Sequence, residues 1–249
     1  MKEIKIQSTT RKIELYLKNN IFVRILKLTL NPKKLLKKIL NINKSNKQKI
    51  TINWRERSQN YGKYSVIDTQ TPKEEFEYVT KQQKIILFDN LKKYLTGKEV
   101  KILDFGCGAG RFSAKLTKLS KKHKVIAVDT ERRLIEMARP SKNVKYICIK
   151  NFKDIRGKFD LIFVANVLGG LDKKKNLQIS KYLIKSLNKN GILLLNENTD
   201  NNEKKEKIFN YWESRNDNFY LGLFSKIGLK KIDAYKYNHM LTSVFLGKK

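Results

Sequence analysis

The rhythm of apolar and polar positions along this chain changes near residue 98. From there to the C-terminus, short apolar runs alternate with amphipathic stretches. VKILDF (100–105), KVIAVD (124–129), VKYICI (144–149), FDLIFVAN (159–166) and GILLLNE (191–197) have the length and composition of buried strands. Helical spacing recurs between most of them, over 111–119, 131–138 and 173–187. Such runs alternating with helices predict a parallel sheet covered on both faces. NFYLGLFSKIGL (218–229) reads as one more helix. KKIDAYKY and LTSVFLG then read as two strands joined by a short turn, which makes the last strand antiparallel.

Upstream the pattern is helical in pieces. Ile21, Phe22, Ile25 and Leu26 form one stripe, and Leu35, Leu36, Ile39 and Leu40 another. Asn31-Pro32 between them reads as a helix start, with Asn as the cap and Pro in the first turn. Residues 41–49 have no apolar period and read as a linker. Residues 54–72 are aromatic and turn-rich, and a helix is expected over 73–94. The organisation is therefore a basic amphipathic helical extension over 1–50, a lid and leading helix over 51–97, and the main domain over 98–249.

Charge sharpens the view of the first segment. The chain of 249 residues carries 55 basic and 23 acidic side chains, a net +32. Much of that excess follows a composition rich in Lys, Asn and Ile. Residues 1–50, however, hold fourteen Lys or Arg against only Glu3 and Glu14. Lys33, Lys34, Lys37 and Lys38 flank the second apolar stripe, the pattern of a helix lying in an anionic membrane interface. Packing on a protein surface is the competing reading, and nucleic acid a further one. The two cysteines, Cys107 and Cys148, and the absence of a secretory h-region point to a reducing, cytoplasmic setting; the membrane reading of the lysine-flanked stripe would add peripheral contact at the inner membrane face.

The chemistry gathers around KILDFGCGAGRFSAKL (101–116). A strand, a turn with Gly106, Gly108 and Gly110, and a helix start present free N–H groups to a ligand, and glycine lets the backbone approach it. A dinucleotide fingerprint would place its last glycine one residue later, where Arg111 stands. The pattern from Asp104 to Gly110 is D-x-G-x-G-x-G. It resembles the first motif of the class I S-adenosylmethionine-dependent methyltransferases, whose fold is a Rossmann-like, doubly wound, seven-stranded sheet with an antiparallel last strand. Asp129, ending KVIAVD, looks like that family's ribose-binding acid. Asn151 and Phe152 fall where the family frames the adenine, with Asn in place of the usual acid.

The resemblance implies S-adenosylmethionine as cofactor, held by Asp104, Gly106, Gly108, Gly110, Asp129, Asn151, Phe152 and Asn166. Arg57, in the lid with Trp54 and Tyr61, is expected on the methionyl carboxylate. No metal is expected. Acceptors lie at the carboxyl ends of the strands, which makes Asn166, Glu197 and His239 the catalytic candidates. Arg215 is read either as an anion contact or as a solvated charge. The loop after the fourth strand, VLGGL, lacks the histidine that many relatives carry. The Asn-Pro-Pro-Tyr-like, Pro-Cys and two-glutamate motifs of DNA and protein-arginine methyltransferases are absent too. A loose similarity to polysaccharide-associated bacterial members favours O-methylation of a sugar, glycan precursor or other small polar acceptor. An RNA methyltransferase and a cofactor-binding scaffold without catalysis are the alternatives.

Overall fold

In the computed structural model, residues 2–5, 52–69, 71–95, 100–119, 124–200, 207–209, 212–238 and 240–249 are described. The chain divides into two units, residues 1–5 with 51–249, and residues 6–50. The second unit lies outside the described residues, and so do the stripes and the linker expected there. Among the described residues no helix is long and apolar enough to cross a membrane.

Eight strands form one sheet: β1 (Lys2–Ile4), β2 (Lys101–Phe105), β3 (Lys124–Asp129), β4 (Val144–Cys148), β5 (Phe159–Ala165), β6 (Leu187–Thr199), β9 (Lys230–Tyr237) and β10 (Met240–Lys248). A two-stranded ribbon, β7 (Lys207–Phe209) and β8 (Trp212–Ser214), stands apart. The order across the sheet is β1-β9-β10-β6-β5-β2-β3-β4, and only β10 runs antiparallel to its neighbours. This is the mostly parallel sheet that the apolar runs predict and the doubly wound Rossmann-like order that the resemblance implies, with one strand more than expected. The extra strand, β1, pairs in parallel with β9 at the sheet's edge, and Lys2 reaches Asp233 at 2.8 Å. Three residues carry no period, so β1 could not be read from the sequence.

The helices are α1 (Trp54–Tyr61), α2 (Phe76–Lys92), α3 (Ser113–Leu116), α4 (Arg132–Glu136), α5 (Lys173–Ser186) and α6 (Asp217–Leu223). Helix α1 falls in a stretch expected to be turns. WRERSQNY has no apolar stripe, and what starts the helix is a cap: Asn53 accepts the Glu56 N–H at 3.2 Å. A 3-10 turn, Gly62–Val66, follows it. Helix α3 is shorter than the expected 111–119, because residues 106–112 are spent in the glycine turn.

The core lies on both faces of the central strands. Ile102, Leu103, Leu161, Ile162, Phe163, Leu193 and Leu194 are fully buried. Phe163 stacks on Phe88 of α2 and tilts against Phe112, at centroid separations of 6.1 and 5.4 Å. This packing fixes β2 and β5 side by side, with Asp104 opposite Phe163 and Ala127. The turns after β2, β3, β4 and β5 therefore open at one edge of the sheet.

Candidate active site

The turn after β2 is shaped by its glycines. Gly106 and Gly108 have φ of 73° and 55°, in the left-handed region where a side chain is strained. Space is also missing. A Cβ on Gly106 would stand 2.5 Å from Val167, and one on Gly108 2.6 Å from Val66. The backbone N–H groups of Gly106 and Cys107 both donate to the Val128 carbonyl at 2.9 Å, tying the turn to β3. Gly110 closes it by donating to the Cys107 carbonyl at 3.0 Å.

Asp129 organises the neighbouring turn. One carboxylate oxygen accepts the Gly108 N–H and the other the Glu131 N–H, each at 2.9 Å. Burial raises its pKa, and these backbone donors work against the rise. Each oxygen keeps further lone-pair capacity for a ligand hydroxyl. Asp104 lies beneath the turn and accepts the Ser113 hydroxyl at 2.6 Å. Burial lifts its pKa to about 7; nearby Asp129 adds to the rise, while Ser113 and Arg111 oppose it. Cys107 is buried, and burial pushes its thiol up, so it fills space beside the turn as an unreactive thiol.

A cavity of about 560 Å³ opens above these residues. Asp104, Gly106, Gly108, Asp129, Asn151, Phe152 and Asn166 all line it. Asn151 and Asp154 cap a short 3-10 turn there: the Asn151 side chain accepts the Lys153 N–H at 3.0 Å, and Asp154 accepts the Asn151 N–H at 2.8 Å. Leu134, Ile149 and Phe152 supply apolar walls. Of the expected cofactor residues, Gly110 and Arg57 do not line this space.

A smaller cavity adjoins the first and shares Trp54, Val66, Arg111 and Asn166 with it. Arg57, Asp68, Thr69, Asn198, Tyr237 and Met240 are among its other walls. Asn166 stands at the junction with φ of 55°; its N–H donates to the Asn196 carbonyl at 2.8 Å, and its side-chain oxygen accepts from Asn196 at 3.4 Å. Arg57 donates to the Ser65 carbonyl from Nε and to the Ile67 carbonyl from Nη2, both at 2.8 Å. Its guanidinium thus braces the strap that follows α1 and faces the smaller cavity alone.

Two expected site residues take other roles. Glu197 is completely buried and lines neither cavity. Its Oε1 accepts the N–H groups of Val167 and Leu168 at 2.7 Å, and Oε2 accepts that of Gly169 at 3.2 Å. With both oxygens taken it positions the loop after β5 and is not placed to meet an acceptor. Arg215, read as an anion contact or a solvated charge, is 1% exposed and clamps the same loop through the Leu168 and Leu171 carbonyls. His239 lies outside the described residues; its neighbours Tyr237 and Met240 line the smaller cavity, at the carboxyl edge of the sheet. From sequence alone Arg111 stands out only as an interruption of a dinucleotide fingerprint, Asn198 only as one of the polar residues at the tip of the fifth strand, Gln83 only as a position in the helical spacing of α2, and Asp68 not at all. Their signal is tertiary, since they meet across α2, β6 and the strap. Among the described residues no cluster of three His, Cys, Asp or Glu could hold a metal.

A glycine turn after the first central strand and an acid closing the next make an arrangement that suits a nucleoside ligand at the carboxyl edge of a Rossmann-like sheet. Comparison with known proteins gives the class. Residues 96–235, more than half of the chain, match the methyltransferase domain family, and the chain belongs to it, with S-adenosylmethionine as its cofactor. The ribosomal RNA small subunit methyltransferase C of Serratia proteamaculans is 38% identical over 82 residues, covering 31% of this chain and 23% of that protein. The chain spans less than half the length of the curated relatives it matches. Among solved structures, magnesium protoporphyrin IX methyltransferase from Synechocystis, holding S-adenosylhomocysteine, aligns at a TM-score of 0.59 and 12% identity, over 79% of this chain and 98% of that one. A mitomycin 7-O-methyltransferase aligns at 0.51 and 13%, over 74% and 59%. At such identities the likeness is one of fold.

The site suits this cofactor. The glycine turn leaves room for a ligand and none for side chains, Asp129 offers a carboxylate to ribose hydroxyls, and Leu134, Ile149 and Phe152 offer apolar surface to a base.

Proposed function

We propose that this enzyme methylates an oxygen of a small polar acceptor, a sugar or glycan precursor, bound in the smaller cavity. The observation that carries this reading is the shared wall. Trp54, Val66, Arg111 and Asn166 border both cavities, so a ligand in one meets a ligand in the other at Asn166. Bound in the larger cavity, S-adenosylmethionine supplies a methyl group already activated on a sulfonium. The protein's remaining work is to orient the acceptor, exclude water and receive a proton.

The smaller cavity has the chemistry for that. Asn166 and Asn198 offer amides, Thr69 a hydroxyl, and Trp54 an aromatic face, a set that suits a polyhydroxyl ligand. Asp68 is the carboxylate among its walls and is oriented by Asn238, which donates to it at 2.7 Å. It replaces Glu197 as the side chain to receive the hydroxyl proton.

A donor carrying a labelled methyl group, offered to the full chain with nucleotide sugars, short oligosaccharides or ribosomal RNA, tests the reading. Label is expected in the sugar fraction and is expected to fall with Asp68→Asn and Asn166→Ala. Label entering RNA alone would overturn it in favour of an RNA methyltransferase.

A further inference from the structure

The larger and smaller cavities meet at a buried cation, Arg111, that forms no ion pair among the described residues. Arg111 is 8% exposed and lines both of them. Its Nη2 donates to the Gln83 side-chain oxygen, and its guanidinium lies 4.6 Å from the Phe112 ring centroid. Nη1 is buried and has no hydrogen-bond partner. No ion pair among the described residues includes Arg111. A buried cation with an unsatisfied donor is costly, and a guanidinium fork is shaped for the two oxygens of a carboxylate.

The side chain is also held for use. Gln83 donates onward to the Tyr235 hydroxyl at 3.3 Å, and Tyr235 donates to Asn196 at 3.0 Å. Asn196 in turn donates to Asn166 at 3.4 Å. Gln83, Tyr235 and Asn196 are each 1% exposed or less. Arg111 and Asn166 are therefore the two ends of one buried chain, and both ends stand on the shared wall. Arg57 is the other arginine at the site, and it is spent on the Ser65 and Ile67 carbonyls.

We infer that Arg111 binds a ligand carboxylate at the junction of the two cavities, the role that reading the sequence had placed on Arg57. The inference rests on the methyltransferase reading of the larger cavity. Two sources share the chemistry: the methionyl end of the cofactor, or an acidic group on the acceptor.

Calorimetry on the full chain separates them. Wild-type protein is titrated with S-adenosylmethionine and with its decarboxylated form, then as the S-adenosylhomocysteine complex with acetate. If the cofactor supplies the carboxylate, the decarboxylated form binds about tenfold or more weakly. Arg111→Gln then weakens S-adenosylmethionine by a similar factor and erases the difference, while Arg111→Lys restores part of it. If the acceptor supplies it, both cofactor forms bind alike, and acetate binds the wild-type complex and not the Arg111→Gln complex. A wild-type chain that treats both forms alike and binds no acetate overturns the inference without recourse to a variant. So does an Arg111→Gln chain, folded by circular dichroism, that keeps every wild-type preference. Failure of wild-type protein to bind either cofactor form or S-adenosylhomocysteine would instead overturn the cofactor assignment, and the inference with it.

Discussion

Glu197 and Arg215 hold the same residue from opposite ends. The carboxylate accepts the Leu168 N–H at 2.7 Å, and the guanidinium donates to the Leu168 carbonyl at 3.2 Å. Asn176 adds a bond to that carbonyl at 3.0 Å. An acid at the donor end of a short turn and cations or amides at its acceptor end match the turn's own dipoles. The clamp matters because Val167, in this loop, packs on Gly106. Glu197→Gln should cost about 1–3 kcal/mol in chemical denaturation, since an amide NH2 in place of one carboxyl oxygen cannot accept and leaves a backbone N–H unpaired. It should also weaken S-adenosylhomocysteine binding. Turnover at saturating cofactor should survive; its abolition would return Glu197 to a part in the chemistry.

Stability should fall as pH rises from about 4 to 7. Burial lifts Asp104 from 3.8 to about 7 and Glu197 from 4.5 to about 7. Each folded value lies above the unfolded one, so the folded chain holds extra protons inside that window. Ionising the two acids then costs stability until both are charged, with little further loss above pH 8. Asp129, whose pKa burial also raises, adds to the same trend. Thermal midpoints measured from pH 5 to 8 without cofactor should decline, and Asp104→Asn should flatten the slope.

Gly108→Ala should cripple the cofactor site and leave the sheet folded. The new methyl meets Val66 at 2.6 Å in a left-handed backbone, and either the strap or the turn must move. Backbone strain at such a position is about 1 kcal/mol or more. Adding Val66→Ala restores the space and not the φ preference, so binding of S-adenosylhomocysteine should recover only in part. Full recovery would show that crowding alone made glycine necessary.

Asp129→Ala should weaken S-adenosylmethionine and S-adenosylhomocysteine equally, by about 1–3 kcal/mol. The carboxylate is expected to serve the ribose, which the two share. Calorimetry with both ligands checks this, and a loss confined to one of them would place Asp129 near the sulfur instead.

The strands were legible because burial on both faces leaves an unbroken apolar run, and β3 begins and ends where KVIAVD does. The glycine turn and Asp129 were legible for a related reason: tight backbone geometry and a strand-tip acid are local demands, written in consecutive residues. The anchoring roles of Glu197 and Arg215 were not legible in the same way. Each is a buried polar residue that holds backbone groups in another segment, and nothing in its own neighbourhood, the Glu213 beside Arg215 included, distinguishes an anchor from a catalyst. Helix α1 was hidden because a cap, and not an apolar stripe, defines its start. Arg111 depended most on the tertiary structure. Its meaning comes from Gln83 on α2, Tyr235 on β9 and Asn166 after β5, brought together only when the sheet closes its order around β10 and β6. Period and turn chemistry act over a few residues, whereas the desolvation that leaves a cation in want of a partner exists only once the chain has packed.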